Sequence, residues 1–144
     1  MNTKEKIEDY IESISNIKNS LPAFGFIIFP DVAGRNYFFA HQNHDSAVDL
    51  VNEDNPYAQC EKLIQTLGSK EVLFLNIDNK ISPMVYDLLS NIFNDQANTE
   101  ILGMAGSITL GNLNNKKLIF AITEADLDNP IYESFNTSVC RLGR

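Results

Sequence analysis

Val72–Ile77 (VLFLNI) and Leu118–Thr123 (LIFAIT) are the two runs whose reading decides the fold. Both place apolar side chains on the two faces of the pleat, the pattern of a strand covered on both sides, as central strands of α/β sheets are. Each is followed by a polar loop and a cap-plus-proline pair, Ser82-Pro83 and Asn129-Pro130, that opens a helix. Strand, loop and capped helix in that order predict an α/β domain, a mixed sheet of four to five strands with helices packed on it.

Outward from these runs, Thr3 caps a first helix with Ile7, Tyr10, Ile11, Ile14 and Ile17 on one face, ended by Leu21-Pro22. Phe24–Phe29 (FGFIIF) and the aromatic Asn36–Ala40 (NYFFA) both have strand character, and the turn-rich Pro30–Arg35 between them predicts a β-hairpin. His41–Asn55 reads as loop with one helical turn. Asn55 and Pro56 open a helix carrying Tyr57, Cys60, Leu63, Ile64 and Leu67 on one side, closed by Gly68. Met84, Val85, Leu88, Leu89, Ile92 and Phe93 form the apolar face of the helix after Ser82-Pro83. A short strand, Ser107–Leu110, turns through Gly111–Asn115 into LIFAIT as a second hairpin, and a last helix from Pro130 carries Ile131, Phe135 and Val139. With both hairpins present, an α+β domain is the alternative architecture. No linker, repeat or low-complexity tract divides residues 1–144, so a single domain is expected.

Composition narrows the function. The 144 residues carry 11 Lys and Arg against 19 Asp and Glu, a net charge of −8. The cations are scattered, leaving no basic stripe to neutralise phosphates, so neither nucleic acid nor an anionic membrane surface is an expected partner. No apolar run reaches the roughly 18–20 residues that span a bilayer, and the charged N-terminus lacks the apolar centre of a signal peptide. A cytoplasmic location is expected. Cys60 and Cys140 stand far apart without a second ligand nearby, which suits reduced thiols better than a disulfide or zinc site.

Val72–Phe93 (VLFLNIDNKISPMVYDLLSNIF) resembles the segment of AAA-type P-loop ATPases, particularly the MoxR-like branch, in which a strand ending in Asp-Glu runs through a polar-Pro turn into a leucine-rich helix. Leu118–Thr123 is similar to that family's next core strand, with Thr123 at the place of its polar sensor, and Phe29–Asn36 falls at the phosphate loop's position. The resemblance implies a nucleotide site formed by Gly34, Arg35, Asn36, Asp78 and Thr123, with a helix beginning near Asn36 in place of the hairpin. It also implies lost hydrolysis. A phosphate loop needs glycines, a lysine and a hydroxyl. Phe29, Arg35 and Asn36 stand there instead, Asn76 and Ile77 replace the two acids, and the family's helical lid has no counterpart before Arg144.

His41 and His44, with Asp45 and Asp49, are the only cluster of metal-ligand types, but no recognised spacing supplies a third ligand, so neither a metal nor another cofactor is expected. No convincing catalytic nucleophile is present. His41, His44, Asp45, Asp49, Glu53 and Asp54 in one connection, and Glu124, Asp126 and Asp128 in another, are the candidate partner-contacting residues, because exposed loops on a rigid scaffold commonly carry recognition. Together these features predict a non-enzymatic cytoplasmic adaptor domain that contacts another protein. The alternatives are a degenerate nucleotide-binding module and an acidic mimic of nucleic acid.

Overall fold

The two index strands lie side by side within the sheet, the first buried from Leu73 onward and the second along its length. In the computed structural model, which describes residues 2–16, 23–42, 45–51, 55–78, 80–93, 100–103, 106–109, 116–135 and 138–142, the elements run α1 (Thr3–Ser15), β1 (Ala23–Phe29), α2 (Val32–Ala40), β2 (Ala47–Asp49), α3 (Pro56–Ser69), β3 (Val72–Asn76), α4 (Pro83–Phe93), β4 (Glu100–Gly103), β5 (Gly106–Thr109), β6 (Lys117–Thr123), a 3-10 turn (Glu124–Asp126), α5 (Pro130–Phe135) and β7 (Val139–Arg141). The fold class is α/β. Its main sheet has five strands in the order β2-β3-β6-β1-β7, all paired in parallel.

Pleat alternation sorts the side chains into two cores. Phe24, Phe26 and Ile28 of β1, Leu73 and Leu75 of β3, and Leu118, Phe120 and Ile122 of β6 pack under α3, α4 and α5. Ile27, Phe29, Phe74, Ile119 and Ala121 face the other way, toward α1 and α2. Helices cover both faces, as an all-parallel sheet requires.

Several local expectations are corrected. Residues 24–40 are not a hairpin, because Asp31 caps α2 and Phe38 packs between Phe29 and Phe74, with ring centroids 5.4 and 6.0 Å apart. Burial of that helical face overrides the strand preference of NYFFA. The connection expected to be loop holds β2, whose Ala47–Asp49 pair with Phe74–Asn76. The expected hairpin of Ser107–Leu110 with Leu118–Thr123 does not form: β5 pairs antiparallel with β4, and β6 is a parallel central strand between β1 and β3; the expected turn Gly111–Asn115 lies outside the described residues. Two hairpins in one α+β sheet are therefore not what forms. Val139 belongs to edge strand β7, where it is exposed, since α5 stops at Phe135. Asn2 caps α1, and α3 continues through Gly68 to Ser69. The caps at Asn55, Ser82 and Asn129 are as expected, each side chain accepting from a first-turn amide.

Helix α1 is tied down by Tyr10, whose hydroxyl donates to Ser138 O and accepts from Phe26 N, both at 2.9 Å. Burial pushes the Tyr10 phenol above its ordinary 10.0 and the Cys60 and Cys140 thiols above 9.0. For an acid whose folded value is raised, the stabilisation is complete below the unfolded value and is lost as pH rises through the folded one. Thermal melts are therefore expected to be flat from neutral pH to about 9 and then to fall steadily through the thiol and phenol range. Burial lowers the Lys116 ammonium from its ordinary 10.5 and so opposes this fall; a melting temperature that rises over the alkaline interval even in a Lys116→Met variant contradicts the burial of Tyr10 and the two thiols.

Candidate functional site

Ligands of open α/β sheets bind outside the carboxyl ends of the strands, where the connections of two neighbouring strands leave on opposite faces. Here that switch point lies between β1, followed by α2 on one face, and β6, followed by α5 on the other. All five residues of the nucleotide-site expectation lie near it.

Arg35 projects from the first turns of α2 toward the sheet and is only 4% exposed. Its Nη1 donates to Ile77 O at 3.4 Å and lies 3.7 Å from Asp126 Oδ2, while Nη2 donates to Asn36 Oδ1 at 3.4 Å. Charge-assisted bonds are usually about 2.7–2.9 Å long, so this buried guanidinium is loosely held. Asp126 in turn accepts from Thr123 Oγ1 at 2.8 Å. The chain Arg35–Asp126–Thr123 thus crosses the switch point and links the connection after β1 to the connection after β6. Arg35 Nε and Asn76 Oδ1 are buried without a hydrogen-bond partner among the described residues.

The phosphate-loop position is built differently from what the resemblance implies. Only Pro30 and Asp31 separate β1 from α2, too short a link to wrap a phosphate. Asp31 Oδ1 accepts from Gly34 N at 2.8 Å, placing a carboxylate on the amides that would otherwise attract an anion. Gly34 is therefore part of a helix cap, and Asn36 is exposed beside Arg35. Asp78 is half-buried in the loop after β3, where its carboxylate accepts from Lys80 N at 2.8 Å. Asn129, fully buried, donates its side-chain amide to Asp78 O while its own oxygen caps α5. This clip joins the β3 and β6 connections and was not readable from sequence, where Asn129 registers only as a cap.

The candidate partner residues do not converge. His44, Glu53 and Asp54 lie outside the described residues. His41 is exposed, donates from Nδ1 to Tyr37 O at 2.7 Å and lies against the Tyr37 ring at 4.1 Å. Asp45 precedes β2 and is exposed, whereas Asp49 at the strand's far end accepts from Val51 N at 3.0 Å and Asn76 Nδ2 at 3.3 Å. Glu124 holds Arg141 in a bidentate pair at 2.7 and 3.0 Å, which raises the guanidinium's pKa. Asp126 is buried and Asp128 exposed. Asp49, Asp126 and Glu124 thus have structural duties.

Among the described residues no three His, Cys, Asp or Glu side chains are grouped to hold a metal, and no helix is long and apolar enough to cross a membrane. Both cysteines are free and buried. The strand-like character of NYFFA hides from the sequence the exposed side of α2, with Val32 and Tyr37. Its signal was visible: from Val32 to Gln42 the only charged residue is Arg35. In comparisons with known proteins, no family model, curated protein or solved structure matches the chain.

Proposed function

We propose that the chain is a catalytically silent cytoplasmic α/β domain that acts by contact with another protein, on a scaffold related to the AAA-type P-loop core but with its phosphate site closed. The observation that carries this is the switch point itself. A carboxylate caps α2, the β1–α2 link has two residues, and Arg35 is drawn inward to Asp126. An incoming phosphate meets the negative charge of Asp31 and Asp126. The relation to the P-loop scaffold is supported by the helix directly after β1 and by the adjacency of β1, β6 and β3, the strands that the resemblance assigns to phosphate loop, sensor and metal acids. Free buried thiols suit a reducing compartment. Asp45 and Asp128 stand exposed on their loops, and the inward or paired positions of Asp49, Asp126 and Glu124 weigh against a nucleic-acid mimic.

A second reading is favoured by one feature: the loosely paired Arg35 with its orphaned Nε is a cation in want of an anion. On that reading ATP or GTP enters by displacing Asp126. Calorimetry separates the two. The closed-site reading expects no saturable heat with either nucleotide, whereas saturable micromolar binding that disappears in Arg35→Lys establishes the nucleotide module. For the contact half, an affinity pull-down from the native host is compared with Asp45→Lys and Asp128→Lys variants. A captured protein that is lost with either reversal supports the contact role, and capture indifferent to both removes these loops from it.

A further inference from the structure

The two orphaned atoms at the carboxyl end of β3 are complementary: Arg35 Nε is a donor and Asn76 Oδ1 an acceptor. Arg35 is 4% and Asn76 2% exposed. Both side chains belong to the side of the sheet that α2 covers. Arg35 comes from the inner face of that helix, and Asn76 follows Phe74 by two on β3, which sets it on the pleat face where the Phe74 ring meets Phe38. Arg35 Nη1 reaches Ile77 O, the carbonyl next in the chain after Asn76. A donor and an acceptor buried in one place and not bonded to each other forfeit two hydrogen bonds, a loss that native folds seldom leave standing.

We infer that these atoms form the binding site of a single internal water, which accepts from Arg35 Nε and donates to Asn76 Oδ1. The surrounding charge selects that ligand. Asp126 Oδ2 lies 3.7 Å from Arg35 Nη1 and Asp49 Oδ1 accepts from Asn76 Nδ2 at 3.3 Å, so two carboxylates stand against one guanidinium. A further anion is repelled by that excess, and a cation meets the guanidinium N–H. A neutral molecule that both donates and accepts satisfies both atoms, and side chains so closed to solvent admit only the smallest one. Ile77 O, engaged by Arg35 at only 3.4 Å, has a lone pair left for a third hydrogen bond. The water then completes a polar chain that runs from Asp49 on β2 through Asn76 and Arg35 to Asp126 and Thr123 after β6. The inference rests on the closed-site reading, since an Arg35 whose Nε is satisfied in this way has no need of a phosphate.

Crystals of the unaltered chain soaked in sodium bromide test it. A density peak is expected about 2.7–3.2 Å from both Arg35 Nε and Asn76 Oδ1, without anomalous signal at the bromine edge. An anomalous peak there identifies an anion and overturns the inference, as does a direct bond between the two side chains or the absence of any peak. In solution, water magnetic relaxation dispersion counts long-lived internal waters, and Asn76→Leu is expected to lose the contribution of one. Equal counts in the variant and the parent chain also overturn it. Nucleotide calorimetry keeps the two failures apart: no peak and no nucleotide heat removes the water and leaves the closed site standing, whereas saturable nucleotide heat removes both.

Discussion

Gly25→Ala is expected to lower stability by about 2–3 kcal/mol, the upper part of the range for overpacking a core. Gly25 sits in β1 on the face covered by α1, and a Cβ there falls well inside van der Waals contact with Ile14 Cδ1 and the Tyr10 hydroxyl. Neither neighbour yields cheaply. Ile14 is itself 2% exposed, and the Tyr10 oxygen is held by Phe26 N and Ser138 O. Relief requires α1 to lift from the sheet, exposing Ile7 and Ile14 and breaking the Tyr10 bonds. Urea unfolding measures the loss, and faster proteolytic cleavage within residues 3–15 locates it. If Gly25→Ala melts like the parent protein, α1 is not packed as closely on β1 as the structure has it.

Arg35→Ala is expected to cost about 3 kcal/mol, because it leaves Asp126 buried with only Thr123 to hold it. The double variant Arg35→Met with Asp126→Asn is expected to recover most of that loss. Methionine keeps much of the aliphatic volume, asparagine still accepts from Thr123, and neither brings a charge that must be desolvated. The thermodynamic cycle through Arg35→Met, Asp126→Asn and the double variant isolates the coupling. Additive losses contradict the pair's role in bracing α2 against the connection after β6.

These two positions mark the difference between what was legible and what was not. Gly25 lies in FGFIIF, which reads as a strand from its composition, but its tight contact with α1 depends on how closely a helix ending ten residues upstream settles on that strand. From its place in the segment Arg35 reads as a phosphate ligand. Its side chain instead turns inward, because Val32–Ala40 forms a helix whose inner face presents residues 35 and 38 to the sheet. The Asp126 that meets it lies about ninety residues further on. Local signals carried β3, β6 and the helix caps at Asn55, Ser82 and Asn129, since a buried strand and a capped helix start write their requirements into consecutive residues.

By itself, the amino-acid order determined the α/β class, the two central strands, the acidic charge and the absence of an intact phosphate-loop motif, all of which rest on periodicity, caps and residue type. Tertiary structure alone decided that NYFFA is helix, that all five strands of the main sheet run parallel, that Arg35 is internal, and that α2 shows an uncharged side to solvent. Those outcomes depend on which distant side chains supply the other half of each contact. Aromatic residues that suit a strand as well as a helix are assigned by the sheet they pack on, and no local pattern contains that information.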